Sequence, residues 1–192
     1  MSEQLILASS SNYKKTLLER LCIPFTCVSP NIDESPQTNE SAKQLVMRLA
    51  EQKALAVAAQ NPGIMVIGAD QVGEINGSIL EKPENYKNAH KQLQRQSGKS
   101  VLFHCGISLA TYNSSENIQK ITKISTTEVI FRQLSEIDIK TYLEKEQPYD
   151  CAGSFKSEGL GISLFDQIKS NDPTCLIGLP LILLRKMLSD NK

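Results

Sequence analysis

The 192-residue sequence predicts an α/β fold built around a mixed β-sheet. Short apolar runs alternate with segments of helical periodicity, which is typical of parallel strands joined by helices. Other strand-like segments follow one another across short polar turns, one of them an Asn-Gly pair, which indicates antiparallel hairpins. Because both kinds of connection occur in one chain, we expect a mixed sheet rather than a purely parallel one.

The composition is that of an average globular domain. Apolar residues make up 40% of the chain and charged residues 22%. We therefore expect residues 1–192 to form one domain, with two tightly joined lobes as the alternative. Lys and Arg total 21, as do Asp and Glu, so the net charge is zero. Duplex nucleic acid favours an excess of basic residues, so nucleic acid is not an expected partner.

The sequence indicates a cytoplasmic protein without a membrane partner, because it shows no signal peptide and no apolar run of membrane-spanning length. Its five cysteines are scattered, odd in number and without a C-x-x-C pair. This pattern predicts buried, reduced thiols rather than disulfide bonds or a thiolate zinc site. The five are Cys22, Cys27, Cys105, Cys151 and Cys175.

The first predicted elements are a strand, a helix and a second strand. Apolar residues predict a strand over Leu5–Ala8, and the hydroxyl-rich turn at 9–12 supplies residues that favour a helix start. Leucines then recur at helical spacing. A strand follows over Phe25–Val28, and a loop with prolines is expected over 31–39.

A long amphipathic helix comes next. Ser41 and Gln44 have the spacing of a capping box at its start, and Asn-Pro-Gly at 61–63 ends it after about Gln60. The remaining predicted elements, in chain order, are strands over 64–69, 72–75 and Ser78–Leu80, a helix over Tyr86–Gln96, strands over 101–112 and Ile118–Phe131 joined by a polar turn at 113–115, a helix capped by Ser135, a strand over 162–168 and a helix over 179–188.

The start of the first helix is a candidate phosphate site. A helix N-terminus exposes unpaired N–H groups and a partial positive charge, and both favour a phosphate. Ser10, Lys14 and Lys15 add a hydroxyl and two ammonium groups to this turn. The alternative, a capped helix with solvated lysines, explains the same residues about equally well.

Acidic residues occur at two places suited to a metal or a general base. Asp70 follows an apolar strand, where ligand sites of α/β sheets gather, and could hold a metal or act as base for an attacking water. Asp33 and Glu34 lie in a loop and could bind a hard cation such as Mg²⁺. Alone, each has a plainer explanation: an Asx turn at Asp70 and an exposed acidic loop at Glu34.

Two more lysines and a glycine-rich segment complete the candidates. Lys53 lies on the apolar face of the long helix, where its head needs a partner or a route to solvent. Lys82 follows the hairpin, where it could meet a phosphate or stay solvated. The segment 151–161 contains three glycines, which allow close approach of the backbone to a ligand, although a flexible loop has the same composition.

Together these segments resemble the Maf family of nucleotide pyrophosphatases over nearly the whole chain. Residues 7–15, Leu-Ala-Ser-Ser-Ser-Asn-Tyr-Lys-Lys, are similar to the family's L-A-S-x-S-x-x-R-R opening. The other matching segments, in the family's order and spacing, are Asp33-Glu34, Lys53, Gly-Ala-Asp-Gln-Val at 68–72, Lys82-Pro83 and Gly-Ser-Phe-Lys-Ser-Glu-Gly at 153–159. The resemblance is closest to the subgroup that acts on 7-methyl-GTP.

The resemblance implies a bent mixed sheet with flanking helices around a deep cleft, as in Maf and ITPase-like proteins. It implies hydrolysis of 7-methyl-GTP to 7-methyl-GMP and pyrophosphate with Mg²⁺ or Mn²⁺, a house-cleaning activity on the nucleotide pool. Asp70 matches the family's proton acceptor and, with Glu34, its metal-handling positions. The positions that match phosphate-handling residues are Ser10, Lys14, Lys15, Lys53 and Lys82, and those that match base-selecting residues are Tyr13, Gln71 and Glu158.

Two other functions stay open on the sequence. One is a Maf-type pyrophosphatase for dTTP, UTP or CTP, and the other is a nucleotide-binding regulator of cell division without turnover. Lys14 and Lys15 stand where the family usually has arginines, so the charge is kept but the planar fork that grips phosphate is lost. The expected partner is a small-molecule nucleotide substrate. The sequence does not decide whether the protein also forms a homodimer.

Overall fold

Seven strands form one mixed sheet in the computed structural model, which describes residues 5–113 and 117–191. They are β1 (Leu5–Ala8), β2 (Phe25–Val28), β3 (Met65–Ile75), β4 (Ser78–Leu80), β5 (Ser100–Tyr112), β6 (Ile118–Phe131) and β7 (Phe165–Ser170). The sheet order is β2-β1-β3-β5-β6-β7, and β4 pairs with β3 outside this path. β1 is parallel to both of its neighbours, and the other pairings of described strands are antiparallel. The predicted mixed sheet is confirmed.

Five α-helices and three 3₁₀ turns flank this sheet within the described residues. The helices are α1 (Asn12–Glu19), α2 (Ala42–Ala58), α3 (Tyr86–Gln96), α4 (Glu136–Glu146) and α5 (Leu181–Asp190), and the turns are Ala152–Ser154, Leu160–Leu164 and Pro173–Ile177. Ser11, Ser41, Asn85 and Ser135 cap α1 to α4 through bonds from backbone N–H groups. The predicted capping box of Ser41 with Gln44 is present.

The two strands predicted over 64–69 and 72–75 are one continuous strand, β3. Asp70 and Gln71 stay extended because β5 pairs with β3 from Val66 to Glu74 without a break. Asp70 therefore lies inside a strand rather than at its end, and the alternative of an Asx turn there is wrong.

The last part of the chain also differs from the prediction. Leu160–Leu164 form 3₁₀ turns, so the strand predicted over 162–168 is displaced to β7. The final helix begins at Leu181, because Pro180 is its N-cap and has extended backbone angles. Ser114 and Ser115 of the predicted polar turn lie outside the described residues.

The core consists of two large clusters at opposite ends of β3 and β5, and of two smaller ones under α2. The leucine cluster, around Leu7, Leu17 and Leu184, packs α1 and α5 against the sheet. The phenylalanine cluster, around Phe103 and Phe131, packs α3 and α4. The face opposite α1 and α5 is covered by α2. Helices thus cover both faces of the sheet, as an α/β fold requires.

All five cysteines are free thiols. The prediction of buried thiols is confirmed for Cys105 and Cys175. Cys151 is only partly buried, and the prediction is wrong for Cys22 and Cys27, which are exposed. Cys22 lies in the turn after α1, and Cys27 lies on β2, which is at the edge of the sheet among the described strands. Within the described residues, no helix has both the length and the apolar character needed to cross a bilayer.

Candidate active site

A cleft opens where β1 ends and β3 continues. The last residue pair between these strands is Ala8 with Gly68, and β4 joins the same edge of β3 only from Gly73. Among the described strands, residues 69–72 have no partner on that edge. The cleft, about 810 Å³ in volume, lies beside this gap and the N-terminus of α1. The carboxyl ends of parallel strands are the usual ligand sites of α/β sheets.

Lys53 joins two carboxylates at one wall of the cleft. Its Nζ lies 2.6 Å from Oδ1 of Asp70 and 2.8 Å from Oε2 of Glu34. Asp70 and Lys53 are 9% and 7% exposed, whereas more than half of the Glu34 side chain is exposed. Asp70 is therefore the buried partner that a lysine on the apolar face of α2 requires.

Two glycines of the sheet let α2 come close enough for this contact. A Cβ on Gly68 would lie 2.1 Å from the carbonyl oxygen of Ala50, and a Cβ on Gly106 would lie 2.4 Å from that of Val46. Gly68 and Asp70 are two residues apart on β3 and share the face that α2 covers. Gly106 is the β5 partner of Asp70. The bare backbone at both positions brings Lys53 within reach of the carboxylate.

The loop that carries Glu34 is fastened to α2. Arg48 donates from Nε and Nη2 to the carboxylate of Glu40 at 2.6 and 2.8 Å, and from Nη2 to the carbonyl of Ser35 at 3.0 Å. Asp33 accepts the N–H of Ser35 at 2.9 Å and so closes an Asx turn. Of the two neighbouring acids, Glu34 is the one that lines the cleft.

Burial and charge act differently on the two deepest lysines. Burial alone would lower the pKa of Lys53, but Asp70 and Glu34 outweigh it, so this pKa lies above its ordinary value. The pKa of Lys14 is lowered, first by burial and further by the ammonium groups of Lys53 and Lys82, and Asp70 only partly compensates. The charged form of Lys14 is therefore destabilised, and a bound polyanion would stabilise it.

The N-terminus of α1 points its polar groups into the cleft. The Oγ of Ser11 accepts the N–H of Lys14 at 3.4 Å, and the side chains of Ser10 and Lys14 line the cleft. Lys15 does not line the cleft; it is exposed and lies 4.0 Å from Glu19. Successive residues of a helix point about 100° apart, so the two lysines cannot share one direction. The structure brings Lys14 to the site and leaves Lys15 outside it.

Lys82 lines another wall, on the loop between β4 and α3. The amide of Asn88 donates to the carbonyl of Pro83 at 3.0 Å, and that of Gln92 donates to the carbonyl of Glu81 at 2.8 Å. Both neighbours of Lys82 are therefore held by α3. Within the described residues, no carboxylate forms an ion pair with Lys82, which leaves its ammonium available to a ligand.

Tyr13 and Glu158 lie in a second, acidic part of the cleft. The Sγ of Cys151 is 3.9 Å from the hydroxyl of Tyr13. The pKa of Tyr13 is raised well above its ordinary value, first by burial and then by Cys151, Asp150 and Glu158. This charge arrangement suits a ligand whose one end is anionic and whose other end is cationic or rich in hydrogen-bond donors.

Gln71 supports the cleft from the other face of the sheet, since it follows Asp70 directly on β3. Its Nε2 donates to the carbonyls of Cys175 and Leu176 at 2.9 and 2.8 Å. Both amide hydrogens are therefore used, and only Oε1 can meet a ligand. Gln71 lines the cleft as an acceptor that also fixes the Pro173–Ile177 turn.

The cleft includes residues that the sequence did not single out. They are Asp150 and Asn88. Lys156, which belongs to the glycine-rich segment 151–161 that the sequence did single out, also lines the cleft, and its Nζ donates to the carbonyl of Glu146 at 3.2 Å. Asp150 directly precedes the glycine-rich segment, and its position there was a usable signal. Asn88 carried no signal, because an amide on a helix surface is ordinary.

Glu34 and Asp70 have the donor chemistry of a Mg²⁺ or Mn²⁺ site. Lys53 binds one oxygen of each carboxylate, so the second oxygen of each remains for a cation. Among the residues that the structure describes, no three acidic, histidine or cysteine side chains come together as a metal cage. Mg²⁺ does not require one, because it keeps waters and binds one or two carboxylates plus substrate phosphates.

The fold and the cleft define an α/β protein equipped to bind a polyanion, since one cavity at a helix N-terminus is lined by Lys14, Lys53, Lys82 and Lys156. The sequence profile of Maf-like proteins matches residues 4–191. The chain therefore belongs to the Maf family, which confirms the family that its motifs predict.

Curated relatives match along most of this chain. A 7-methyl-GTP pyrophosphatase from Pseudoalteromonas atlantica is 54% identical over 185 residues, which cover 96% of this chain and 93% of the relative. Proteins with the same name from Colwellia psychrerythraea and Vibrio vulnificus are 49% and 51% identical over 187 and 186 residues. Each covers 97% of this chain, and the matches span 92% and 94% of those relatives.

The solved structure of the Staphylococcus aureus Ham1 protein is similar in fold. Its TM-score is 0.53 at 16% identity, and the match covers 98% of this chain and 100% of that one. At this identity the likeness concerns the fold alone. It supports the predicted Maf/ITPase-like architecture of a mixed sheet with flanking helices around a cleft.

Proposed function

We propose that this protein hydrolyses 7-methyl-GTP to 7-methyl-GMP and pyrophosphate. Three relatives at 49–54% identity carry the name of that activity, which supports the substrate. The observation that carries the proposal is the convergence, in one cleft, of a Lys53-bound Asp70 with Lys14 and Lys82. A carboxylate next to several cations is what hydrolysis of a phosphoanhydride requires.

The triphosphate is proposed to lie among Lys14, Lys82 and the N-terminus of α1. Two ammonium groups and the unpaired N–H groups of the first helical turn offset its negative charge. Ser10 adds a hydroxyl donor at the same place. Lys15 is not part of this proposal, because its side chain lies on the outer surface of α1.

Asp70 is the proposed general base. One proton of a water passes to Asp70 as the oxygen of this water bonds to phosphorus. The bond between the α- and β-phosphates breaks, and the electron pair of that bond leaves with pyrophosphate. Lys53 orients Asp70 through the 2.6 Å contact. A positioned base contributes about 10²–10⁴-fold to such a rate.

Glu34 and Asp70 are the proposed ligands of Mg²⁺ or Mn²⁺. When bound, such an ion neutralises phosphate charge and polarises the phosphoryl group. The half-exposed position of Glu34 suits a metal that arrives with the nucleotide, because water and phosphate oxygens can complete its coordination.

The acidic part of the cleft is proposed to select the base. Methylation at N7 makes guanine cationic, and a cation over the ring of Tyr13 gains about 0.5–2 kcal/mol. The carboxylate of Glu158 can accept from both N1–H and the 2-amino group. Gln71, with only Oε1 available, adds an acceptor and excludes a donor at its position.

A turnover screen tests this function. We expect 7-methyl-GTP to give the highest kcat/KM among 7-methyl-GTP, GTP, dTTP, UTP and CTP, with equimolar 7-methyl-GMP and pyrophosphate. EDTA should abolish turnover, and Mg²⁺ or Mn²⁺ should restore it. Preference for dTTP, UTP or CTP would assign the other Maf-type activity. Nucleotide binding without pyrophosphate release would instead indicate a binding protein such as a regulator of cell division.

A further inference from the structure

Three side-chain amides lie in a row along α3, at four-residue spacing. They are Asn88, Gln92 and Gln96, and each donates from its amide nitrogen to a backbone carbonyl outside α3. Residues four apart on a helix share one face, so this row faces the cleft loops together. None of the functional roles proposed above uses Gln92 or Gln96.

Gln92 joins the two loops that carry Lys82 and Glu158. Its Nε2 donates to the carbonyl of Glu81 at 2.8 Å, and its Oε1 accepts the hydroxyl of Ser154 at 2.6 Å. Glu81 directly precedes Lys82, and Ser154 lies four residues before Glu158. One planar amide thus sets the spacing between the phosphate end and the base end of the cleft.

The loop around Ser154 needs such an external bond. Ser154 is completely buried and has a φ of 62°, a backbone conformation that costs free energy for a residue other than glycine. The preceding Gly153 has a φ of 77°, and its carbonyl accepts from Gln96 at 2.8 Å. Two successive left-handed residues persist because α3 holds them from one side.

We infer that Gln92 is a positioning residue that fixes the distance between the Lys82 loop and the Glu158 loop. It thereby sets the distance between base and triphosphate that the cleft accepts in a nucleotide. This inference rests on the proposed function. Gln92 does not itself line the cleft, so it acts through the two loops rather than on the substrate.

Gln92→Leu removes both bonds at nearly constant side-chain size. We expect the KM for 7-methyl-GTP to rise about tenfold, because the substrate must then order the loops, while kcat falls less than about threefold. The matched control is Gln94→Leu, on the same helix, whose amide binds Glu136 at 2.7 Å on α4. Equal KM values for the two variants would overturn the inference.

Ser154→Ala removes the shared bond from the other loop, and it serves where Gln92→Leu fails to fold. The double variant should be no worse than Gln92→Leu alone, because both changes break the same contact. Additive increases in KM would show that Gln92 and Ser154 act separately, and they would contradict the proposed positioning role of Gln92.

Hydrogen exchange gives a readout that needs no turnover. Residues 81–84 and 150–158 should both exchange about tenfold faster in Gln92→Leu and remain unchanged in Gln94→Leu. Unchanged exchange in Gln92→Leu would overturn the inference. If the unmodified protein released pyrophosphate from no nucleotide, the proposed function would fail, and the exchange data would still decide the role of Gln92.

Discussion

Asp70 and Lys53 form the most constrained contact of the site. Both are almost fully buried, and their 2.6 Å ion pair occurs where a single unpaired charge would be costly. The sequence indicated Lys53 as a lysine in need of a partner and indicated Asp70 as a base or ligand. Their direct contact could not be predicted, since it depends on how closely α2 lies against β3.

Asp70→Asn should abolish most turnover without unfolding the protein. The amide keeps the size of the side chain but accepts no proton, so we expect kcat to fall about 10²–10⁴-fold. Pyrophosphate release measures the effect, and Asp166→Asn is the control because Asp166 is exposed and lies outside the cleft. Near-normal turnover in Asp70→Asn would remove Asp70 from the mechanism.

Glu158→Gln should lower the selectivity for 7-methyl-GTP over UTP and dTTP. The neutral amide offers one acceptor and one donor group where the carboxylate accepts twice, and it no longer attracts a cationic base. The ratio of kcat/KM values is the measurement, with Glu144→Gln on the exposed surface of α4 as control. An unchanged ratio would contradict the role of Glu158.

Lys14 should impose an alkaline limit on substrate capture. Its lowered pKa means that the ammonium is lost, as pH rises, before an ordinary lysine with a pKa of about 10.4 would lose it. We expect log(kcat/KM) to decline above that lowered pKa, and Lys14→Arg to move the decline to higher pH because guanidinium stays protonated. Lys91→Arg, on the exposed surface of α3, should leave the profile unchanged. A decline at the same pH in Lys14→Arg would assign the limit to another group.

At the scale of elements, the position of α2 decides whether the site forms. The sequence predicts α2, its capping box and its apolar face, because periodicity and capping are local properties. It also contains Gly68 and Gly106, but only the tertiary structure shows why glycine is needed at these two positions. Both permit backbone contact with a helix that lies far away in sequence.

Gly68→Ala should therefore reduce both stability and activity. The added Cβ meets backbone atoms of α2, which can move only as a whole helix, so we expect a loss of roughly 1–3 kcal/mol and weaker contact between Lys53 and Asp70. Urea unfolding and pyrophosphate release are the measurements. Gly73→Ala on the same strand meets only side-chain atoms, at 3.0 Å or more, and should cost less. Equal losses in the two variants would show that the close approach of α2 is not the reason.

At the scale of the whole molecule, β3 and β5 run through both large clusters. Ile67 and Ile107 belong to the leucine cluster, while Ile75 and Phe103 belong to the phenylalanine cluster. Loss of either cluster would expose apolar surface of strands that the other cluster also uses. From this continuity we propose that the chain unfolds as one domain, including the case in which it consists of two tightly joined lobes.

We expect unfolding in urea to be one cooperative transition. Hydrogen exchange measured by mass spectrometry at increasing urea should give the same midpoint for β1, in the leucine part, and for α4, in the phenylalanine part. Two midpoints separated by more than experimental error would instead indicate two lobes that unfold independently.

The sequence by itself determined the family, the mixed α/β class and most helices and strands, and it predicted most of the charged residues that line the cleft. These follow from periodicity, caps and motif order, which neighbouring residues encode. Only the tertiary structure decided that Lys15 points away from the cleft and that Asp70 lies inside a continuous strand. It also decided that Gln71 donates both of its amide hydrogens to backbone carbonyls. Each of these depends on the direction of a side chain relative to distant elements, and that direction is set by packing rather than by local sequence.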